Sequence, residues 1–319
     1  MFKLKLSLSF VAIYLVWGSS YLAARFVMDV MPGFTATTLR GALAALCLVV
    51  CVGGFRLFKV PKSRIRGGIL TGVLLQGLGT GPVLWAVTYV PTGITAMLVS
   101  VLPVWFILFE RLFTGAVPLG RLGLVGMVIS IVGSLWLTLA SGAGFDSGVS
   151  LIPFLAIFFG CMCWALGSVW STRVDLPENP FECLAWQMVG GVMCNGLLAM
   201  VVEWDQPWFY QPPDLSFFLA LTYLVVGCSV LVFLGYNFLL SHMSPTLVST
   251  HSYVNPVVAL LLGWLVRDEV ITGPALGASV MILAGVACIQ WGMHGKKRPS
   301  PPETSGGIGA LEPVAQVKT

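Results

Sequence analysis

Long apolar runs alternate with short polar or charged stretches from residue 8 to residue 293 of the chain. A helix that crosses a lipid bilayer needs about 20 mostly apolar residues, and each run approaches or reaches that length. The pattern predicts an all-α integral membrane protein with ten transmembrane helices. We place these helices at residues 8–28, 34–54, 67–89, 93–113, 119–140, 150–172, 181–202, 215–238, 245–266 and 273–293.

The last five runs are a faint copy of the first five. Gly18-Ser19 in the first run corresponds to Gly167-Ser168 in the sixth. The tract from Gly93 to Pro103 corresponds in the same way to the tract from Thr246 to Pro256. Because five is an odd number, the copied half enters the bilayer from the opposite side. The sequence therefore predicts two inverted five-helix repeats, an arrangement common in carriers that open to either face of a membrane in turn.

These repeats divide the chain into three regions. We assign residues 1–143 to the first repeat and residues 144–295 to the second. Residues 296–319 are polar and rich in proline and glycine, so they cannot bury enough apolar surface to fold. We expect this last region to be a disordered cytoplasmic tail.

Composition supports a membrane protein and gives no sign of catalysis. The chain is 57% hydrophobic and 9% charged, and its mean hydropathy is +0.92. Soluble domains carry about 25% charged residues, so this chain cannot cover a globular surface with polar groups. Its eight cysteines all lie in apolar runs without the paired spacing of a zinc site. No hydrolase, metalloprotease or nucleotide-binding motif is present. We therefore predict a protein that is not an enzyme and uses no metal or cofactor.

The lysines and arginines indicate how the helices are oriented. Loops on the cytoplasmic side of a membrane are enriched in these residues. The side that carries the N-terminus holds Lys3, Lys5, Arg56, Lys59, Lys62, Arg64, Arg66, Arg111, Arg121, Arg173, Lys296, Lys297, Arg298 and Lys318. The opposite side holds only Arg25 and Arg267, together with most of the acidic residues. Both termini are therefore predicted to be cytoplasmic. The basic loops follow this bias, so we expect no nucleic-acid partner.

Polar and aromatic residues inside the predicted helices mark a candidate cavity. Polar groups are costly in hydrocarbon, so they should face other helices or a hydrated space. Aromatic rings offer apolar area there, while hydroxyl and amide groups orient a solute. The candidate substrate-binding residues are Tyr14, Trp17, Ser19, Gln76, Trp85, Trp164, Ser168, Tyr236, Asn237, Ser249, Tyr253 and Asn255. The alternative for any one aromatic residue is a place in the belt that lines a membrane surface.

Two ionisable residues lie inside predicted helices. Arg40 lies about 9 Å from the start of the second helix, at a rise of about 1.5 Å per residue. Its guanidinium either binds a substrate carboxylate or phosphate, or it forms a structural pair or reaches toward the membrane surface. His251 lies well inside the ninth helix and could change its charge near neutral pH. It is a candidate for proton coupling, with a hydrogen-bonded spacer as the alternative.

Two prolines occupy the same position in the two repeats. Pro103 and Pro256 lie within the fourth and ninth predicted helices. A proline there removes one backbone hydrogen bond and kinks the helix. Loosened carbonyls are tolerated at membrane depth only where protein or water satisfies them. We therefore predict that both helices line or gate the cavity, with a purely structural kink as the alternative.

Three stretches carry a resemblance to a known family. They are Trp17-Gly18-Ser19-Ser20, the tract Thr95–Pro103 with its counterpart Leu247–Pro256, and Arg267-Asp268-Glu269 followed by Gly277 and Gly285. In this order the chain resembles the drug/metabolite transporter superfamily, and in particular its EamA-type members with two EamA repeats. The first half departs from the pattern, because Ala116 stands where the second half has Glu269. The resemblance implies export of amino acids, metabolites or toxic small molecules across a bacterial inner membrane.

The leading hypothesis is a secondary transporter that exports a small amphipathic metabolite, such as an amino acid, by alternating access. Its expected partners are this small molecule and the lipid bilayer, and association of identical chains is left open. A rival hypothesis is an importer or exchanger of phosphorylated or nucleotide-linked sugars, in which Arg40 would bind phosphate. A rival from another class is an integral membrane enzyme that modifies lipids. That rival would need convergent acids, histidines or a metal site, and the sequence is poor in such groups.

Overall fold

The computed structural model describes residues 2–52, 54, 59–114, 120–140, 150–243 and 245–293. Within these ranges it does not describe the side chains of Val52, Thr114, Thr246, Tyr253, Gln290 and Met293. The predicted tail at residues 296–319 and the departure at Ala116 lie outside the described residues.

The described residues form helices and no strand, which confirms the predicted all-α class. The helices are α1 (Phe2–Met28), α2 (Gly33–Val52), α3 (Lys62–Ala86), α4 (Thr92–Val99 and Leu102–Thr114), α5 (Arg121–Ala140), α6 (Ile152–Ser171), α7 (Pro180–Val202), α8 (Leu215–His242), α9 (Pro245–Val248 and His251–Arg267) and α10 (Gly273–Met293). In the described part, eight helices are long and apolar enough to cross a membrane, and two further apolar stretches are shorter. The prediction of a ten-helix membrane protein is confirmed.

Contacts near the helix termini define the two ends of the bundle. At one end the ring of Phe2 packs 6.0 Å from that of Phe238, and Arg64 pairs with Asp175 at 3.0 Å. We call the opposite end, formed by residues 28–33, 86–92, 202–215 and 267–273, the acidic end. There the backbone N–H of Tyr210 donates to the carbonyl of Val30 at 2.7 Å. Successive loops therefore alternate between the ends, as ten spanning helices require.

Helices of the first half pack mainly against helices of the second half. The α5 helix lies along α10, and α2 lies along α7. A Cβ atom added at Gly285 would lie 2.5 Å from the Ser130 hydroxyl, and one at Gly133 would lie 3.0 Å from the side chain of Ile282. Small residues allow such close approach in lipid, where apolar side chains gain little by meeting each other. Glycines therefore form part of the packing face between α5 and α10.

Two helices contain a π-helical segment at mid-length. In α3 it covers Val73–Thr80, and in α8 it covers Tyr223–Leu231. Such segments are rare and shift backbone hydrogen bonding by one residue, so they re-aim the side chains that follow them. They occur in the third helix of each half, and each supplies a polar side chain to the centre of the bundle. The sequence analysis did not predict them.

The helices that carry the two prolines are each interrupted. The α4 helix breaks at Ser100–Val101, and α9 breaks at Ser249–Thr250. Pro103 is the second residue of the later α4 segment, where a missing N–H costs no helical hydrogen bond. Pro256 lies inside the later α9 segment. The breaks therefore precede the prolines, and only Pro256 removes a hydrogen bond from a helix interior.

Candidate functional site

Five rings from four helices meet at the centre of the bundle. The indole of Trp17 on α1 lies 5.5 Å from that of Trp164 on α6, 5.0 Å from Tyr236 on α8 and 5.3 Å from His251 on α9. Phe233 closes the cluster at 5.7 Å from Trp164. We call these five residues the aromatic cluster. Because α1 belongs to the first half and the others to the second, the cluster forms where the two halves meet.

Hydrogen bonds fix the orientation of this cluster. The indole N–H of Trp164 donates to the Tyr236 hydroxyl at 3.0 Å, and that hydroxyl lies 2.7 Å from the Ser168 hydroxyl. The indole N–H of Trp17 donates to the carbonyl of Cys228 at 3.4 Å, in the π-helical segment of α8. Tyr236 is fully buried. Ser168 and Tyr236, both predicted to bind substrate, therefore hold Trp164 in place instead of facing an open space.

A cavity of about 90 Å³ lies beside the aromatic cluster. Of the predicted residues it is lined by Trp17, Arg40, Gln76, Trp164, His251 and Asn255. Its wall also includes Ser20, Tyr21, Thr80, Cys161 and Phe233, which the sequence analysis did not select. The smallest space that holds one water is about 10–15 Å³, so the cavity has room for several waters or for part of a small solute.

Arg40 lies at one side of this cavity, and only 8% of it is exposed. Its Nε–H donates to the hydroxyl of Ser229 at 2.6 Å, in the π-helical segment of α8. Among the described residues this is the one hydrogen bond of the guanidinium, and no carboxylate pairs with it. The structural acid partner considered from the sequence is therefore not found in the described part of the chain.

Gln76 and Asn195 extend the polar side of the site. The amide of Asn195 on α7 donates to the backbone carbonyl of Gln76 at 2.9 Å. The side chain of Gln76 is only 6% exposed, and its Nε2 atom has no hydrogen-bond partner among the described residues. Gln76 and Arg40 both line the main cavity and a smaller one behind it, which Ser229 and Asn195 complete. Two buried donors thus meet at one edge of the site.

Polar contacts tie α1 to the break in α9. The hydroxyl of Tyr14 lies 2.9 Å from that of Thr250, one of the two residues at the break. With its amide nitrogen turned toward α1, Asn255 donates to the carbonyls of Ile13 at 3.1 Å and Tyr14 at 2.8 Å. Ser249 is buried at the same break. The predicted residues Tyr14, Ser249 and Asn255 thus lie together, where α9 is interrupted.

His251 opens the second segment of α9 and is buried. Its Nδ1 atom lies 2.9 Å from the carbonyl of Val248, and its ring packs against Trp17 and Tyr236. No carboxylate contacts the ring among the described residues, so a proton on it would have no acidic partner there. Its role in proton coupling stays a prediction.

Three predicted residues lie away from the cavity. The Trp85 ring stacks on Phe34, with centroids 5.7 Å apart, near the acidic end. The Ser19 hydroxyl lies 2.6 Å from that of Tyr223, on the side of α1 that faces α8. The amide of Asn237 donates to Gln187 at 2.9 Å. The side chain of Tyr253 is not among those described. Ser19, Trp85 and Asn237 therefore do not line the cavity in this conformation.

Two glutamates at the acidic end bind the N-termini of helices. Glu203, just after α7, accepts hydrogen bonds from the backbone N–H of Phe34 at 2.8 Å and of Thr35 at 2.9 Å, at the start of α2. Glu269, just after α9, accepts from the backbone N–H of Thr92 at 3.0 Å and of Gly93 at 3.2 Å, at the start of α4. We call these contacts the two carboxylate clamps. Each satisfies free N–H groups and places a negative charge at the positive end of a helix.

An ion-pair network lies beside the clamps. Asp29 pairs with Arg25 at 3.0 Å and with Arg267 at 2.8 Å, so it joins the end of α1 to the end of α9. Arg25 also donates to the carbonyls of Val87 and Thr88, both at 2.8 Å, beyond α3. Arg25 and Arg267, the two arginines on the side opposite to the basic loops, therefore pair with the same aspartate. Across the described ranges, no group of three or more His, Cys, Asp or Glu side chains could hold a metal ion.

Comparison with known proteins gives consistent matches along nearly the whole chain. The model of the EamA-like transporter family matches twice, over residues 5–139 and 151–291. YedA of Escherichia coli K12, described as an uncharacterized inner membrane transporter, is 30% identical over 285 residues, or 89% of this chain and 90% of YedA. A probable amino-acid metabolite efflux pump of Salmonella typhimurium LT2 is 23% identical over 283 residues, or 86% of this chain and 91% of the pump.

The fold also has a counterpart among solved structures. One crystal structure superposes with a TM-score of 0.62 and covers 90% of this chain and 97% of the other, at 19% sequence identity. At this identity the likeness concerns the fold alone.

Proposed function

The chain belongs to the EamA-like transporter family, and from this premise we propose that it is a secondary exporter of small amphipathic metabolites such as amino acids. That it is a multi-pass membrane transporter follows from the family and from its apolar helices. The proposal adds the direction of transport and the class of solute. The efflux pump from Salmonella typhimurium, whose name refers to amino-acid metabolites, supports both additions.

The observation that carries the proposal is one cavity lined by both halves of the chain. Trp17, Arg40 and Gln76 come from the first half, and Trp164, Phe233 and His251 come from the second. The lining combines aromatic rings with polar groups, which suits a solute with an apolar body and a polar head. A site between two repeats lies where the relative movement of the halves can expose it to either side.

The two ends of the bundle differ in a way that fits alternating access. At the acidic end the two carboxylate clamps and the Asp29 network join α1, α2, α4, α7 and α9. The sequence has Ala116 at the position equivalent to Glu269, so the first half lacks a matching carboxylate for the other end. We infer that this conformation is closed at the acidic end, and that opening requires release of the clamps.

The acidic end faces the periplasm in this proposal. The opposite end holds Lys59, Lys62, Arg64, Arg66 and Arg121, in agreement with the enrichment of lysine and arginine in cytoplasmic loops. Solute would enter from the cytoplasm while the clamps hold, and it would leave after the clamps open. The breaks in α4 and α9 provide points at which these helices can bend, because the backbone there is not bound into a continuous helix.

Efflux measured in a bacterial strain that lacks the gene tests this proposal. We expect the wild-type chain to lower the intracellular level of at least one amphipathic metabolite and to raise tolerance to it. Trp164→Ala should abolish this effect, because it removes a wall of the cavity. Trp264→Ala is the matched control, since Trp264 on α9 is 56% exposed and lies outside the cavity. Unchanged levels and tolerance across a broad metabolite panel would count against an exporter.

A further inference from the structure

The charge of the cavity wall restricts the solute. Among the described residues that line the cavity, Arg40 carries the one fixed charge, and it is positive. The same wall includes no aspartate or glutamate. The acidic residues of the clamps and of the Asp29 network lie at the end of the bundle and already bind N–H groups or arginines. A buried cation without a paired anion is costly, because both its charge and its donors have left water.

Two side chains at this place carry donors without a partner, whereas the Asn195 Oδ1 atom, an acceptor that also has no partner among the described residues, lines only the smaller cavity. The terminal guanidinium nitrogens of Arg40 make no hydrogen bond with described residues, and the side-chain nitrogen of Gln76 also has no partner. Both side chains are more than nine-tenths buried, and both line the same two cavities. Converging donors with a positive charge match an oxyanion. The planar guanidinium fits a carboxylate well, since it can donate two parallel hydrogen bonds.

Two other ligand classes fit these residues less well. The aromatic cluster resembles a cage for an organic cation, but Arg40 shares its cavity and would repel such a charge at close range. A phosphate ester carries about two negative charges, and a single buried cation leaves one of them unbalanced in a region of low dielectric. A single negative charge matches the single arginine.

We propose that Arg40 and Gln76 form a carboxylate-binding subsite, and that the transporter selects solutes that join one carboxylate to an apolar or aromatic body. The apolar part of the solute packs against Trp17, Trp164 and Phe233. An α-ammonium group is a disadvantage in this site, because no acid of the cavity wall neutralises it. A simple carboxylic acid or an N-acylated amino acid therefore binds better than the free amino acid. This inference rests on the proposed transport function and narrows its substrate class.

Binding of four related compounds to the detergent-solubilised full chain tests the subsite. The compounds are 3-phenylpropionate, phenylalanine, 3-phenylpropionamide and phenethylamine, which share a ring and differ in charge. We expect 3-phenylpropionate to bind most tightly and phenethylamine least tightly. A charge-assisted pair of hydrogen bonds is worth a factor of about 10–100 in affinity, so this is the expected gap between the acid and its amide. Equal affinity of the acid and the amide would overturn the subsite.

Two substitutions test whether Arg40 and Gln76 cause the preference for the carboxylic acid over its amide. Arg40→Gln should remove the preference for the acid and leave amide binding within about twofold, whereas equal loss for both compounds would show a purely structural role. Gln76→Glu places a carboxylate beside Arg40, and this carboxylate should pair with the guanidinium and prevent binding of 3-phenylpropionate. This variant keeps the proposal testable if Arg40→Gln does not fold. Gln211→Glu is the matched control, because it adds the same charge at an exposed position of the acidic end. Acid binding that survives Gln76→Glu would also contradict the proposal.

These experiments distinguish failure of the carboxylate-binding subsite from failure of the export proposal. Efflux of a solute without a carboxylate, together with equal binding of the acid and the amide, would leave the exporter standing and remove the subsite. Selective binding of the acid without any change in cellular levels would leave the subsite standing and contradict export.

Discussion

Glu269 holds the first turn of α4 through Thr92. One carboxylate oxygen accepts hydrogen bonds from the backbone N–H of Thr92 at 3.0 Å and from its hydroxyl at 2.8 Å. A Cβ atom added at Gly263 would lie 2.5 Å from the other carboxylate oxygen. A glycine at that position therefore leaves room for the carboxylate to fold back beside α9 and reach α4. The acidic residue of the Arg267-Asp268-Glu269 motif thus joins the end of α9 to the start of α4.

Glu269→Gln should loosen the acidic end without unfolding the bundle. The amide keeps an acceptor for one N–H but loses the charge that favours the helix N-terminus, at a cost of about 1 kcal/mol. Cys161 lines the cavity and is buried, so its reaction with a water-soluble maleimide reports opening. In a variant with the other seven of the eight cysteines replaced, we expect faster labelling of Cys161 from the periplasmic side.

The second clamp allows the same test and provides an internal comparison. Glu203→Gln releases α2 in the same way, and the double variant should label faster than either single variant. Glu178→Gln is the control, because Glu178 pairs with Arg64 at the opposite, exposed end. If the control accelerated labelling as much as the clamp variants, the clamps would not be what keeps the acidic end closed.

Asp268→Gly should stabilise the protein. Asp268 follows α9 with a φ of 52°, in the left-handed region that glycine adopts without steric cost. The side chain is exposed and makes no hydrogen bond with described residues, so its removal loses little. We expect a gain of up to about 1 kcal/mol, measured as a higher melting temperature in detergent. Asp268→Ala keeps a Cβ atom and should give no gain; equal stabilisation by alanine would place the effect elsewhere.

Asp214 makes the start of α8 sensitive to pH. Its carboxylate accepts hydrogen bonds from the Phe217 N–H at 2.9 Å and the Ser216 hydroxyl at 2.7 Å, and these bonds lower the pKa of Asp214 below its ordinary value. A lowered pKa means that the carboxylate stabilises the folded state above the ordinary aspartate pKa of about 4 and stops doing so as the pH falls through its folded value.

Asp214→Asn should therefore differ from the wild type only where the carboxylate is charged. Asparagine still caps a helix, so the comparison isolates the charge. We expect the wild type to melt at a higher temperature at pH 7 and the difference to shrink below about pH 4. A difference that stayed constant between pH 7 and pH 3 would show that the charge of Asp214 does not contribute.

Hydropathy was sufficient to predict the ten helices but not the irregularities inside them. A π-helical segment changes which carbonyl each N–H binds, and it leaves the apolar character of the run unchanged. The segment Val73–Thr80 therefore has no signature in hydropathy, although it places Gln76 beside Arg40. The two carboxylate clamps could not be predicted either, because a single sequence does not show which helix N-terminus lies near Glu203.

Within α1, simple helical geometry explains which of the predicted residues line the cavity and which do not. Trp17 and Ser20 are three residues apart and share a face, so Ser20 and Tyr21 could have been selected with Trp17. Ser19 is two residues from Trp17 and therefore points about 200° around the helix, toward Tyr223. Trp85 lies nine residues beyond Gln76, or about 13 Å along the axis, which places it near the acidic end.

Pro256→Ala should slow transport while leaving solute affinity nearly unchanged. Proline has no N–H, so the carbonyl of Ser252, four residues earlier, lacks its helical hydrogen bond. Alanine can restore this bond inside the α9 segment and make the helix next to the break at Ser249–Thr250 stiffer. We expect a higher melting temperature and a slower turnover, with binding of the solute changed less than about twofold, because the cavity wall keeps its side chains.

Pro103→Ala is the matched comparison, since Pro103 occupies the first turn of its segment, where no helical hydrogen bond is missing. Turnover of this variant should stay close to that of the wild type. Turnover and binding are measured separately, by initial efflux rates in proteoliposomes and by titration of the solubilised protein. If Pro256→Ala weakened binding as much as it slowed efflux, Pro256 would support the site itself. If both prolines gave the same slow turnover, the missing hydrogen bond in α9 would not be the cause.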